Sequence, residues 1–370
     1  MSASSTRPSS EAHAPWNLRR LAARIGGDMT LVQGAGGNIS VKTDKTLWIK
    51  ASGTWLAKAM SESIFSAVAL DCVRARIALG QADPASAELL DISPHGLRPS
   101  IETGLHALMP HAVVMHLHSV DAIALGVCED GMARLSHRLE GLAWAWVSYV
   151  QPGQPLTEAI RQALGHAAVD VLVLANHGVV LGAESVASAR LLLDNLVRRL
   201  RQGPHQSQSP APAANLEKLR KLGQNTLYDP APHPRLHAMA TDLRQFAIAT
   251  AGTLYPDHAV FLGPAAIELR SGQLISTLIA ERAHAGLGPP KLLLVPEAGV
   301  LIRNDLSAGE LAMLECLALV LSRIPQDASV RYLADTDVKA LLSWDAEKYR
   351  RHLDQQQELP SLHHRAHSLP

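Results

Sequence analysis

Chemistry first becomes legible in Val113-Val114-Met115-His116-Leu117-His118-Ser119. The apolar run that carries His116 and His118 predicts a strand, where residues two apart face the same way, about 7 Å from each other. Two imidazoles can then converge on one ion. Neutral imidazole is a standard zinc ligand, and a catalytic zinc takes three protein ligands and keeps one position open. A polar-faced strand with two ordinary histidines is the competing reading, because so short a motif often arises by chance. The rest of the chain must therefore supply a third ligand and a group that moves protons. His177, in Asn176-His177-Gly178 at the end of the apolar run Asp170 to Ala175, is placed for the first role; a turn histidine capped by local backbone is the alternative. Glu102, in Arg98-Pro99-Ser100-Ile101-Glu102-Thr103, precedes the histidine strand by one short helix, so its carboxylate can sit beside the ion. Serving the helix dipole is its simpler use.

Two further stretches suit an anion. Gly34-Ala35-Gly36-Gly37-Asn38 offers bare backbone amides and one carboxamide, because glycine lets the backbone approach a ligand closely. A turn chosen only for its backbone angles fits this stretch equally well. The spacing is not G-x-G-x-x-G and the loop runs into a strand, so a dinucleotide fold is excluded. Ser52-Gly53, at the tip of the following strand, can form a second wall of the same site.

The elements that must position these residues can be read from periodicity. Trp16 to Asp28 predicts a helix, residues 38–42 and 46–51 a hairpin, and residues 121–127, 156–168 and 184–201 further helices around the strand at 170–175. Alternating strands and helices predict an α/β layered domain. A Gln/Ser/Pro/Ala-rich stretch at residues 203–215 reads as a linker, which divides the chain into a metal domain at 16–202 and a second, smaller α/β domain at 216–358. In the latter, residues 291–295 predict a buried strand and 308–324 a packed helix, and Asp257-His258 reads as structural for want of converging partners. Residues 1–15 and 359–370 are expected to be disordered, with His363, His364 and His367 solvated.

With 34 basic and 34 acidic residues among 370, the composition gives no electrostatic footprint for nucleic acid or an acidic membrane surface. A small molecule is the expected partner. Cys72, Cys128 and Cys316 are widely spaced, which fits a reducing cytosol, and neither a signal peptide nor a bilayer-length apolar run is present. A cytoplasmic protein is expected.

Taken in order, Gly36-Gly37-Asn38, Ser52-Gly53, Pro99-Ser100-x-Glu102, His116-x-His118 and Asn176-His177-Gly178 resemble the class II aldolase/adducin family over about residues 16 to 202. Members include zinc-dependent sugar-phosphate aldolases, and the Pro-Ser-Ile-Glu-Thr form looks most like the longer members related to rhamnulose-phosphate aldolase. The resemblance implies a three-layer α/β/α domain with a central, mainly antiparallel sheet. It also implies a divalent metal, Zn2+ first and Mn2+ or Co2+ next, on His116, His118 and His177. Glu102 would be the acid/base, and Gly37, Asn38, Ser52, Gly53 and Ser100 would surround the substrate phosphate. The implied activity is retro-aldol cleavage, or its reverse, of a small hydroxy-ketone sugar or sugar phosphate, by a homo-oligomer, tetramer or dimer. Decarboxylation, epimerisation or dehydration on the same site, and an adducin-like non-catalytic module, are the alternatives within the family. A zinc amidohydrolase also begins with His-x-His but needs a barrel of eight strand-helix units. Two departures stand out: Ile101 replaces a second serine, which removes one phosphate contact, and the family's tyrosine that helps protonate the leaving aldehyde has no clear counterpart between Gly126 and Gly141. Tyr255, His258 or another subunit is left to supply that proton, and Tyr149 is expected to be structural.

Overall fold

A computed structural model describes residues 14–81, 89–90, 92–94, 96–165, 169–203 and 212–356. Most of the amino-terminal segment, the middle of the expected linker and the carboxyl-terminal tail with His363, His364 and His367 lie outside the described residues.

The first sheet has seven strands: β1 (Asn38–Thr43), β2 (Thr46–Lys50), β3 (Phe65–Ala69), β4 (Val113–Leu117), β5 (Trp144–Val147), β6 (Val171–Leu174) and β7 (Gly178–Ala183). They lie in the order β3-β2-β1-β4-β7-β6-β5, and every pairing is antiparallel except β5 with β6. The mixed α/β fold with a central, mainly antiparallel sheet is therefore as expected.

Both faces of the sheet are covered, and the strands obey a period of two. Val113, Met115 and Leu117 of β4, with Val171, Val173, Val179 and Leu181, pack against the helices Trp16–Gly26 and Val186–Leu200. Val114, Leu172, Leu174 and Val180 face the other way, towards the helices Thr103–Leu108 and Gln154–Leu164. Parity thus puts His116 on the face where Glu102 begins its helix.

A second sheet follows, with β8 (Tyr228–Pro230), β9 (Ile267–Glu268), β10 (Leu292–Val295) and β11 (Gly299–Arg303) in the order β8-β11-β10-β9. Its pairings are antiparallel, antiparallel and parallel, the same succession as β4-β7-β6-β5 in the first sheet. The turns match as well. Asn176 and Glu297 both have positive φ, at 54° and 61°, and each is followed two residues on by a glycine that opens the next strand, Gly178 and Gly299. The helices that follow β7 and β11 are each opened by a serine capping box, Ser185 with Ser188 and Ser307 with Glu310. The second region thus repeats, in reduced form, the half of the first sheet that carries His116 and His177, with Ala298 where the first has His177.

The two regions share one core. Val120, Ile123, Ala124, Val127 and Cys128 of the first are fully buried among Leu236, Met239, Phe261, Met313 and Leu317 of the second. Asn176 secures the junction, its Nδ2 donating to Leu254 O and to Arg331 O, each at 2.8 Å. No helix among the described residues is long and apolar enough to cross a membrane.

Candidate metal centre

Adjacent strands deliver the three histidines. β4 lies between β1 and β7, with His116 opposite Asn38 on one side and Val180 on the other. His118 falls one residue past the end of β4, not within it, and keeps the facing set by the strand. His177 occupies the β6-β7 turn, brought alongside because Leu117 pairs with Val179. Gly178 makes that approach possible: its φ is 153°, and a Cβ there would stand 2.2 Å from Leu117 O. Only glycine tolerates both conditions.

The outcome is a buried cluster. One ligand atom from each histidine can be chosen so that all lie within 4.8 Å of one another. Among these, His116 Nε2 and His118 Nε2 are 3.1 Å apart. Two imidazole nitrogens bound tetrahedrally to one zinc at about 2.0–2.1 Å would stand about 3.3 Å apart. His177 Nδ1 is buried without a hydrogen-bond partner, a costly arrangement that a bound cation or a reorganised network would relieve. Burial holds His116 down to about pKa 4 and His177 well below its usual value. Both are therefore neutral at physiological pH, the form that binds metal. By distance, burial and the neutral state of His116 and His177, the residues present fit a divalent cation.

Glu102 stands at the edge of this cluster, Oε1 being 3.2 Å from His116 Nε2. It precedes the helix Thr103–Leu108 without capping it through its side chain, so the carboxylate is available to the site. Its backbone amide is held by Ser100 Oγ at 3.2 Å.

A pocket opens above, walled by Gly36, Gly37, Ser52, Gly53, Ser100, Ile101 and Glu102, with His118 and His177 at its base. Ile101 therefore occupies pocket wall, where its side chain offers no hydrogen bond. Of the metal, acid/base and anion-site residues singled out in the sequence, His116 and Asn38 are absent from this lining; His116 is fully buried in the histidine cluster beneath it. Asn38 lies behind Gly37 on β1, both amide atoms buried without partners.

Four charged residues of the lining had no place in the site as read from sequence. Lys50 ends β2, is 3% exposed, and donates from Nζ to Ala35 O and Thr54 O, each at 2.8 Å. Burial, reinforced by the nearby Arg350, lowers its pKa to about 7. Asp257, Glu347 and Arg350 come from the carboxyl-terminal half. Asp257 Oδ2 is 3.1 Å from His118 Nδ1, and Arg350 pairs with Asp257 Oδ1 and with Glu347 Oε2, the latter at 3.2 Å. Burial alone would raise Asp257, but Arg350 and His118 outweigh it and hold the carboxyl far below the usual range. Burial raises Glu347.

The expectation that Asp257 lacks converging partners is thus corrected, because those partners lie about 140 residues upstream and 93 residues downstream. The sequence offered only weak signals: a Lys closing the apolar run Leu47-Trp48-Ile49 just before Ser52-Gly53, and an Asp opening the mostly apolar stretch Ala259-Val260-Phe261-Leu262. Tyr255, His258 and Tyr149 do not line the pocket. Tyr255 packs in the shared core, and His258 accepts from Leu254 N at 3.2 Å.

A family profile described as "Class II Aldolase and Adducin N-terminal domain" matches residues 20–202. Among curated proteins, "Uncharacterized oxidoreductase YuxG" of Bacillus subtilis (strain 168) is 33% identical over 195 residues, 47% of this chain and 27% of that protein. The chain thus covers about a quarter of that relative. Among solved structures, the N-terminal class II aldolase domain of a conserved protein from Thermoplasma acidophilum is 23% identical with a TM-score of 0.43, over 52% of this chain and 97% of that one. The L-fuculose-1-phosphate aldolase of Thermus thermophilus is 19% identical with a TM-score of 0.35, over 50% and 92%.

Proposed function

Over residues 20–202 the chain belongs to the class II aldolase and adducin family, and on that premise we propose that it is a metal-dependent carbon-carbon lyase acting on a small hydroxy-ketone sugar or sugar phosphate. The observation that carries this reading is the convergence of His116, His118 and His177 within 4.8 Å, with the Glu102 carboxylate at their edge and a polar pocket above. An adducin-like interaction module has no use for three buried imidazoles facing one point.

The three histidines would hold the cation, Zn2+ by ligand type with Mn2+ or Co2+ as substitutes. When bound, it supplies positive charge beside the carbonyl and hydroxyl oxygens of the substrate, where negative charge grows as the carbon-carbon bond breaks. Glu102 takes or returns the proton on the substrate, and its place beside His116 puts it within reach of a carbon next to the polarised carbonyl. Gly37, Gly53, Ser52 and Ser100 orient the anionic or hydroxylated far end through backbone amides and hydroxyls, assisted by the Lys50 ammonium. The apolar wall at Ile101 makes this grip looser than one lined by paired serines.

Metal content of the purified protein and of a His116→Ala/His177→Ala double variant is the first test. About one ion per chain is expected in the former and none in the latter. Ketose phosphates and sugar acids would then be screened for cleavage, with Glu102→Gln expected to keep its metal and lose about 10²–10⁴-fold in turnover. Absence of metal after reconstitution with zinc, manganese and cobalt, or full activity in Glu102→Gln, overturns the assignment.

A further inference from the structure

Asp257 belongs to the half of the chain outside the matched family region, yet it reaches the metal cluster. Its Oδ2 stands 3.1 Å from Nδ1 of His118, while Nε2 of the same ring is 3.1 Å from His116 Nε2. A neutral imidazole carries its proton on one nitrogen only. A carboxylate beside Nδ1 selects the tautomer with the proton there and leaves the Nε2 lone pair turned towards the other histidines.

Two features show that this contact is built in. Arg350 engages the other oxygen of Asp257 and is itself braced by Glu347, so the carboxylate cannot swing away freely. Opposite, Gly36 leaves the space that the pair occupies: a Cβ there would lie 2.9 Å from His118 Nδ1 and 3.2 Å from Asp257 Oδ2. Glu102 plays a different part, because its oxygen faces His116 Nε2 on the inner side of the cluster.

We infer that Asp257, braced by Arg350, is the positioning residue for His118, so that the carboxyl-terminal half completes a metal centre whose three ligands all lie in the amino-terminal half. This rests on the metal reading above, and the experiment must separate the two.

Zinc affinity would be measured on the full chain by competition with a chromophoric chelator, together with the visible absorption of the Co2+-loaded protein and the Tm of the metal-free protein. Asp257→Asn keeps the shape and removes the charge. Gly36→Ala crowds the same contact from the other side and leaves the carboxylate intact, so it serves where an Asp257 variant folds poorly. Both are expected to bind zinc about 10–100-fold more weakly than wild type and to shift the Co2+ spectrum. Affinity within twofold of wild type in both variants, with only Tm altered, would make Asp257 a structural ion-pair partner and overturn the inference alone. A wild-type chain that binds no metal would overturn the metal reading and this inference with it.

Discussion

Lys50 shows how a single residue can report on the pocket. It is buried at the end of β2 with its ammonium on two carbonyls, and burial brings its pKa from 10.5 to about 7. The unfolded chain keeps this proton up to about pH 10.5, whereas the folded chain releases it from about pH 7 upward. Between these values the unfolded state binds more protons, so the Lys50 contribution to stability rises with pH and its penalty is fully present below pH 7. Urea unfolding of wild type and Lys50→Met across pH 6 to 9.5 should therefore show wild type gaining on the variant as pH rises, by up to several kcal/mol. Parallel profiles would mean that the ammonium is better solvated than its burial indicates. Residue by residue, the histidines were legible because a strand period and a glycine turn are local. Asp257 and Arg350 were not, because each owes its role to a partner far along the chain, and Lys50 was not, because a lone charged residue in sequence reads first as solvated.

One helix, Asp345–Gln356, lends Ala346, Glu347 and Arg350 to the pocket and roofs it. Asp354 accepts from Gly309 N at 3.1 Å and from Ser307 Oγ, which joins the helix to the start of Ala308–Leu321. Leu353 lies over Gly53, where an added Cβ would meet it at 2.3 Å, so the roof also touches the expected anion wall. Asp354→Ala removes both acceptors at a cost of about 1–3 kcal/mol. Amide exchange should then quicken in residues 345–356 and stay unchanged in β4 and β7; uniform acceleration would show that the roof is inseparable from the body. The duplicated sheet was legible in principle at this scale. Val171-Leu172-Val173-Leu174-Ala175-Asn176-His177-Gly178 and Leu292-Leu293-Leu294-Val295-Pro296-Glu297-Ala298-Gly299 share an apolar run, a residue of positive φ and a closing glycine. Its remaining strands, Tyr228–Pro230 and Ile267–Glu268, are too short to display a period, so the pattern could not be extended from sequence.

The shared core makes the two regions depend on each other across the whole molecule. Residues 120–128 supply Val120, Ile123, Ala124, Val127 and Cys128 to a cluster otherwise built from residues 231–341, and the Asn176 carboxamide is satisfied by carbonyls of that half. A Ser/Pro-rich stretch in the sequence marks a change of element without revealing that the flanking surfaces are apolar and mutually covered. A fragment ending at residue 203 would expose this face and leave the Asn176 amide, at the root of the β6-β7 turn, without its acceptors. It is expected to bind a hydrophobic dye such as ANS, to self-associate, and to hold zinc more weakly than the full chain, since Asp257 is missing too. Coexpression with residues 212–370 should reverse all three if the halves fold against each other. A monomeric, dye-silent fragment with the affinity of the full chain would instead make the amino-terminal half self-sufficient, and the carboxyl-terminal half would then act only on what enters the pocket.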